Sequence, residues 1–224
     1  MKILKVQEEE AVLGQQNLSN KGVIYNRDNY TITRKDEVFL NVAKEISNLS
    51  TCISMQVGCV IVNENRIISM GYNGTPSGVT HCEDIFFDDK KILDEKEFRK
   101  KHHAWSLLNE VHAEINAILY AAKKGIAIND SILYCTLMPC NNCLKAICAS
   151  GIKKVYYSDI YDRTRFTPNI ITLLRKSGIK LIYCGDTKFD KMVSMLIDEF
   201  DYPPDIAKNM VRSADNDWFI KMPI

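Results

Sequence analysis

The chain has 224 residues, of which 46% are hydrophobic and 25% charged, a composition typical of an ordinary globular protein. Its formal net charge of +1 excludes a strong basic field that would favour nucleic acid or an anionic membrane, although a basic groove could lie within a neutral total. No apolar run approaches the ~18 residues of a spanning helix and the N-terminus lacks the apolar core of a signal peptide, so we expect a cytoplasmic protein without a membrane partner.

The eight cysteines are interpreted as buried thiols and metal ligands, because nothing in the sequence marks the chain as secreted. They stand at positions 52, 59, 82, 135, 140, 143, 148 and 184. A disulfide framework is therefore not expected.

The first half of the chain predicts an extension, a helix and a hairpin, in that order. Residues 1–33 have weak periodicity and read as an N-terminal extension. Apolar residues at helical spacing predict a helix in 34–50, and two β-branched runs around an Asn-Glu-Asn turn predict a hairpin in 57–72. "GYNGTPSG" (71–78) reads as a loop, and the mixed charge of about 83–104 favours a solvated insertion.

Helices and strands alternate in the second half. Helices are predicted at 112–124, 140–150 and 168–177, strands at 131–137, 153–158 and 179–184, and two helical stretches at about 186–200 and 204–213. This alternation indicates an α/β sheet with helices on both faces and parallel later strands.

Two short motifs at predicted helix starts carry zinc-binding side chains. "HAE" spans His112 to Glu114, and "PCNNC" spans Pro139 to Cys143. Each motif alone is a modest signal, since a Cys-x-x-Cys pair can also be redox-active or structural. Together they match the His-x-Glu…Pro-Cys-x-x-Cys pattern of zinc deaminases.

The spacing of these residues suits a catalytic zinc ion. Cys140 and Cys143 face one side of a first helical turn, whose positive end favours thiolates. With His112 they make three ligands, which leaves a fourth tetrahedral position for water. Glu114 is not a ligand, so it can move protons. The alternative, a redox pair or a closed four-ligand zinc site, treats Glu114 and Pro139 as coincidence.

Four segments together resemble the deoxycytidylate (dCMP) deaminases, in particular those of phage type. They are "GYNGTPSG", "EVHAEINAIL", "TLMPCNNCLKAICASGIKKV" and "YDR". The resemblance implies a three-layer α/β/α cytidine-deaminase-like fold with a central mixed five-stranded sheet. It places a catalytic domain at 34–184, which contains the insertion, between the N-terminal extension 1–33 and a C-terminal helical extension, 185–224.

The resemblance also implies a reaction and residues for it. In such enzymes dCMP and water give dUMP and ammonia, which supplies dUMP for dTTP synthesis. Glu114 would protonate N3 of the cytosine, and the backbone N–H of Ala113 would donate to O2. Asn73 and Tyr161 match residues beside the nucleotide; the alternatives are a turn asparagine with positive φ and ordinary packing at a strand end. The cation candidates for the phosphate, for which plain surface charge is the alternative, are Lys123, Arg163 and Arg165.

A second, structural zinc site is implied by the same resemblance. Some dCMP deaminases, notably those of phage type, bind an additional zinc through two cysteines, a histidine and a glutamate. The corresponding residues here are Cys52, Cys82, His102 and Glu110. His81 or His103 is an alternative to His102. Without the family spacing, two buried cysteines, a surface histidine and a helix-start glutamate would explain the same residues.

Similar enzymes are usually homohexamers that dCTP activates and dTTP inhibits with Mg²⁺. The glycine-rich loop from Gly74 to Gly78 is the expected place for effector phosphates. Its candidate residues are Gly74, Thr75, Ser77 and Gly78. A viral enzyme of this kind would work in the host cytoplasm.

Two other functions are weighed against this one. The first is deamination of another cytosine or purine substrate, nucleic acid included, which would need a basic groove lined with aromatic side chains. The second is a non-catalytic zinc scaffold, against which the retained Glu114 argues.

Overall fold

The computed structural model of the protein describes residues 24–25, 30–160 and 168–185. The chain divides between Cys184 and Gly185 into two units, and the helices and strands described here belong to the first. Several predictions lie outside the described residues, namely Tyr161, Arg163, Arg165 and the helical stretches at 186–200 and 204–213. The division into an N-terminal extension, a catalytic domain and a C-terminal extension stays a prediction.

A mixed sheet forms the middle of the described part. Its strands are β1 (Ile24–Tyr25), β2 (Gly58–Asn63), β3 (Arg66–Tyr72), β4 (Ile132–Leu137), β5 (Lys154–Asp159) and β6 (Lys180–Tyr183). They lie in the order β1-β6-β5-β4-β2-β3. β2 is antiparallel to β3 and β4, whereas β4, β5, β6 and β1 are mutually parallel. The predicted hairpin and the predicted parallel strands are confirmed, and β1 adds a sixth, two-residue strand to the five expected.

Helices cover both faces of this sheet. They are α1 (Arg34–Ser47), α2 (Cys82–Phe86), α3 (Asp89–Ile92), α4 (Glu95–Asn109), α5 (Ala113–Lys124), α6 (Asn141–Ala149) and α7 (Pro168–Ser177). On β2, Val60 faces a core shared with α1, and its neighbour Cys59 faces a core shared with α5, α6 and α7. Alternate strand residues point to opposite faces, so the predicted three-layer α/β/α arrangement is confirmed.

The ends of the helices follow the local sequence. Thr33 caps α1 by accepting the N–H of Asp36, while the Asp36 carboxylate accepts the N–H of Thr33, which is a capping box. α5 ends at Gly125, which has a left-handed backbone with φ of 66°, as the sequence predicted. Among the described residues, no helix is both long and apolar enough to cross a membrane.

The insertion predicted at about 83–104 folds as α2, α3 and most of α4, with most of its side chains exposed and a few buried. Phe86 and Phe98 are buried with Cys52 and Cys82 in a small core of their own. Most residues of this segment are charged and lie on its surface, where Lys101 and Asp89 form an ion pair at 2.6 Å. They mask the helical spacing of the few apolar residues.

Candidate active site

The first turns of α5 and α6 bring together the three predicted ligands of the catalytic zinc. His112 and Cys140 are the N-cap residues of these helices, both with extended backbone. The Nδ1 atom of His112 lies 3.4 Å from Cys143 Sγ and 3.6 Å from Cys140 Sγ. The three ligand atoms all lie within 4.8 Å of one another, a spread that one small cation can span.

Hydrogen bonds within this cluster favour the thiolate form of Cys140. The Cys143 thiol stabilises the Cys140 thiolate, which lowers the pKa of Cys140 to about 3 although burial opposes it. The same interaction and burial raise the pKa of Cys143. Hydrogen bonding to Cys140 also raises the pKa of His112. The cluster therefore contains a ready metal ligand, since the thiolate and not the thiol binds zinc.

Glu114 lies beside this cluster but is not one of its donors. Its side chain is 3% exposed, in the first turn of α5. Burial is the largest influence on its carboxyl and raises its pKa, although the neighbouring His112 and a hydrogen bond from Cys143 act in the opposite direction. A carboxyl group with a raised pKa next to a metal cluster is suited to accept and return a proton.

α5 approaches the sheet closely enough to fix the position of this site. At Gly71 in β3, a Cβ atom would lie 2.2 Å from the carbonyl oxygen of Ala113 and 2.6 Å from the nitrogen of Ala117. Ala113, the first residue of α5, is fully buried. Glycine at 71 thus allows the start of α5, with His112 and Glu114, to rest directly on the sheet.

Asn73 braces the loop that precedes β2. Its side-chain Oδ1 accepts the N–H of Val57 at 2.8 Å, and its Nδ2 donates to the carbonyl of Met55 at 2.9 Å. The alternative of a turn asparagine with positive φ is wrong, because in the described ranges only Glu64, Asn65 and Asp130 have positive φ among non-glycine residues. This bracing role was not foreseen from the sequence, since it depends on a partner segment 16–18 residues away.

The predicted effector loop carries a group of polar side chains. The Thr75 hydroxyl lies 3.3 Å from His81 Nδ1, and the Thr51 hydroxyl lies 3.3 Å from the same atom. Gly78 has a φ of 86° and is exposed with Ser77, whereas Gly74 is buried. His81 therefore belongs to this loop and not to a metal cluster.

The four residues predicted for the second zinc also meet. His102 Nε2 lies 3.1 Å from Cys82 Sγ and 3.4 Å from Cys52 Sγ, and the two sulfurs are 4.0 Å apart. Glu110 completes the group, in which all ligand atoms lie within 4.8 Å of one another. Of the histidines considered for this place, His102 is buried in the cluster and His103 is exposed.

Protonation of this second cluster also depends on burial and on mutual contacts. Hydrogen bonding to Cys82 lowers the pKa of Cys52 to about 3, while the pKa of Cys82 is raised. Burial, followed by the nearby Cys52 thiolate, raises the pKa of Glu110 to about 7. For His102 burial opposes protonation, but the hydrogen bond and charge of Cys52 outweigh it and raise the pKa.

Both clusters fit zinc by the chemistry of their donors. Two sulfurs and an imidazole, with or without a carboxylate, are ligand sets that tetrahedral zinc accepts. In the second cluster, Glu110 Oε1 is buried without a hydrogen-bond partner, which is costly unless a cation satisfies it. The first cluster offers three donors and the second offers four, so the first could leave a position open and the second would be closed.

Comparison with known proteins agrees with this geometry. Residues 33–159 match the family described as the cytidine and deoxycytidylate deaminase zinc-binding region. The chain belongs to this deaminase family. It is 36% identical over 191 residues to the deoxycytidylate deaminase of Enterobacteria phage T4, covering 74% of this chain and 98% of that one. The phage T2 deoxycytidylate deaminase is 37% identical over 172 residues, which cover 66% of this chain and 90% of the relative.

A solved structure resembles the described fold of this family member. The dCMP deaminase of the cyanophage S-TIM5, in a crystal structure with dCMP and dUMP, superposes with a TM-score of 0.53 at 30% identity. The match covers 69% of this chain and 99% of that one. The predicted resemblance to phage-type dCMP deaminases and the predicted deaminase-like fold are thereby confirmed, and the chain is an enzyme of the deaminase class.

Proposed function

We propose that this family member is a zinc-dependent dCMP deaminase that converts dCMP and water to dUMP and ammonia. The observation that carries the proposal is a buried carboxyl group, Glu114, beside a three-donor cluster of His112, Cys140 and Cys143. A structural zinc site needs neither an open coordination position nor a proton carrier. For the substrate, the names of the phage relatives and the cyanophage complex with dCMP and dUMP support the choice.

The residues of the site have separate roles in the reaction. His112, Cys140 and Cys143 would hold the zinc, which when bound supplies the Lewis acidity that makes a water molecule nucleophilic at neutral pH. Glu114 accepts a proton from the attacking water and delivers it to N3 of the cytosine as the C4–O bond forms. It then transfers the second proton to the exocyclic nitrogen, so the C4–N bond breaks and ammonia leaves.

Two features of the chain favour these transfers. The raised pKa of Glu114, caused by burial, allows its carboxyl group to keep a proton between the two steps. The backbone N–H of Ala113 would donate to O2 of the base, a role that its position at the positive end of α5 supports. Both groups lie on one helical turn next to His112.

Asn73 and Tyr161 are proposed as neighbours of the nucleotide. The Asn73 amide already bonds to the backbone of Met55 and Val57. Its oxygen and nitrogen each retain capacity for a second hydrogen bond, so a substrate contact and the bracing role are compatible.

The second cluster, formed by Cys52, Cys82, His102 and Glu110, is proposed to hold a structural zinc ion. Its four donors leave no position for substrate, and the site would tie the helical insertion to the rest of the domain. Supply of dUMP for dTTP synthesis, activation by dCTP, inhibition by dTTP with Mg²⁺, a homohexamer and action in the host cytoplasm complete the proposal. The glycine-rich loop from Gly74 to Gly78 is proposed for the effector phosphates.

One assay tests the substrate. The protein is incubated separately with dCMP, CMP, dCTP, cytidine and an oligonucleotide of deoxycytidine, and ammonia release is followed. We expect dCMP to be the best substrate, and the Glu114→Gln variant serves as the control for contaminating deaminases. Turnover of the oligonucleotide without turnover of dCMP would overturn the proposal.

Metal analysis tests the two zinc sites. Washed protein should contain about two zinc ions per chain, and the Cys140→Ser variant should lose metal from the catalytic cluster. His102→Ala should lose the other ion. One zinc ion per chain, with Cys52 and Cys82 freely alkylated, would contradict the second site.

A further inference from the structure

The two metal clusters are joined by a single residue of the chain. Glu110, a donor of the second cluster, ends α4, and His112, a donor of the catalytic cluster, begins α5. Val111 lies between them and forms a β-bridge with Gly74. The Val111 N–H donates to the Gly74 carbonyl at 2.8 Å, and the Gly74 N–H donates to the Val111 carbonyl at 3.1 Å.

A second connection reaches the same bridge from Cys52. The Cys52 N–H donates to the Ser50 hydroxyl at 3.2 Å, and this hydroxyl donates to the Asn73 carbonyl at 2.8 Å. Asn73 is the residue before Gly74, and both it and Ser50 are buried. The Cys52 and Glu110 ends of the second cluster therefore both attach to the junction of Asn73, Gly74 and Val111.

We infer that this junction couples metal binding at the second cluster to the position of His112, with Val111 as the positioning residue. The inference rests on the two-metal part of the proposed function. A cation in the second cluster satisfies the buried Oε1 of Glu110, which otherwise has no hydrogen-bond partner. Without the cation, the buried carboxylate lowers its free energy by turning toward water, and this motion breaks the hydrogen bonds between Val111 and Gly74 that hold His112 in place.

The consequence is a change in the affinity of the catalytic cluster for zinc. Loss of the second metal should weaken zinc binding at His112, Cys140 and Cys143, within the factor of about 5–150 that is typical of coupled sites. Thermodynamic reciprocity requires the second cluster to weaken by the same factor when the catalytic cluster is disabled. Any coupling between the two metals is reciprocal in this way, so the part played by the junction is tested through Val111.

A double-mutant cycle tests the coupling through metal affinity and not through turnover. Zinc affinity of the catalytic cluster is measured by competition with a chromophoric chelator in the unmodified protein, His102→Ala, Val111→Pro and the double variant. Proline at 111 removes the N–H that bonds to Gly74, and the extended backbone of Glu110, with φ of −100° and ψ of 141°, is compatible with a following proline. Val111→Ala is the matched control, because it keeps that N–H.

In the unmodified protein and in Val111→Ala, we expect His102→Ala to weaken the catalytic cluster by at least about fivefold. In Val111→Pro the same change should have no further effect. An equal effect of His102→Ala in both backgrounds, or no effect in the unmodified protein, would overturn the inference.

If Val111→Pro does not fold, two other measurements decide. Ser50→Ala interrupts the connection from Cys52 and should reduce the effect of His102→Ala; an unchanged effect contradicts the inference. His112→Ala should weaken zinc binding at the second cluster, and an unchanged affinity there also contradicts it. Coupling without ammonia release from dCMP would reject the proposed substrate alone, whereas turnover without coupling would reject the inference alone.

Discussion

The two glutamates of this region differ in their position relative to the metal donors. Glu114 is almost completely buried and is not one of the donors of the three-donor cluster, so its carboxyl group is available to carry protons. Glu110 lies inside the four-donor cluster, and its buried Oε1 has no hydrogen-bond partner, so its carboxylate can bind a cation. The pKa of each is raised, chiefly by desolvation, and position relative to the other donors decides the role.

Replacement of Glu114 by glutamine should abolish turnover while leaving the metal bound. The amide has nearly the same shape but cannot accept the proton of the attacking water, and general acid–base catalysis is worth roughly 10²–10⁴ in rate. We expect the kcat with dCMP to fall by at least this factor, with zinc content unchanged by metal analysis. The same replacement at Glu83, an exposed glutamate of α2, is the control. A near-normal kcat for Glu114→Gln would exclude it as the proton carrier.

Zinc affinity of the second cluster should depend on pH through Glu110. In the metal-free folded protein its pKa is raised from 4.5 to about 7 by burial and then by Cys52. The folded chain thus holds this proton more tightly than the unfolded chain, so the contribution of Glu110 to the free energy of unfolding of the metal-free protein falls as pH rises from 4.5 to about 7. A cation must displace the proton, so zinc affinity falls as pH drops below about 7.

The measurement is chelator competition between pH 5.5 and 8.5, with Glu110→Gln for comparison. Below about pH 7 the slope of log affinity against pH should be smaller by about one in the variant, because zinc binding no longer displaces a proton from residue 110. The Cys82 thiol, whose pKa is raised, continues to contribute to the slope in both proteins. Equal slopes would mean that Glu110 is not a ligand.

At the scale of elements, two glycines set how closely helices approach the sheet. Gly71 lies under α5, and a Cβ there would come within 2.2 Å of the Ala113 carbonyl. Gly58 lies under α1 on the other face, where a Cβ would come within 2.2 Å of the Ala43 carbonyl. Each obstacle is backbone, which cannot rotate away, so the helix itself must move.

Gly71→Ala and Gly58→Ala form a matched pair that separates stability from site geometry. Overpacking of this kind costs about 1–3 kcal/mol, and both variants should show a lower Tm in thermal unfolding. Only Gly71→Ala displaces the start of α5, so only this variant should bind zinc more weakly at His112. Equal zinc affinity in the two variants would show that the position of α5 does not control the catalytic cluster.

The sequence predicts elements where the signal is local and fails where it is not. The hairpin of β2 and β3 and the stop of α5 at Gly125 follow from neighbouring residues. β1 has only two residues, too few for any periodicity, and exists because β6 offers it a partner edge. α4 was missed because its buried Phe98 and His102 are separated by charged residues.

The same distinction applies to the candidate site. The pattern around His112 and Cys140 is local enough to identify the cluster, and family resemblance extends this to the second one. The roles of Ser50 and Asn73 depend on hydrogen bonds such as the one between them, which joins residues 23 apart in the sequence. No spacing rule reports such contacts, so they could not be predicted.

At the scale of the whole molecule, the loop from Gly74 to Gly78 is connected to the catalytic cluster through one residue. Gly74 begins this loop and is bonded to Val111, the neighbour of His112. A nucleotide that alters the loop could therefore alter the substrate site. In the described part of the chain there is one cluster with three donors, and binding at a single site per molecule is hyperbolic, so cooperativity requires several copies of the chain.

If the proposed regulation is correct, initial rates against dCMP concentration should be sigmoidal, and dCTP with Mg²⁺ should make the curve hyperbolic at lower half-saturation. The physical reason is that dCMP must otherwise shift the enzyme from a less active to a more active state. An activator that binds only the more active state makes this shift before dCMP binds. The dTTP–Mg²⁺ complex should shift the curve the other way, and light scattering should show an oligomer at the same protein concentration. CTP with Mg²⁺ is the control for general effects of a triphosphate. A hyperbolic curve that neither dCTP nor dTTP changes would show that the loop from Gly74 to Gly78 has no effector role, and would leave the Gly74–Val111 bridge with a purely internal function.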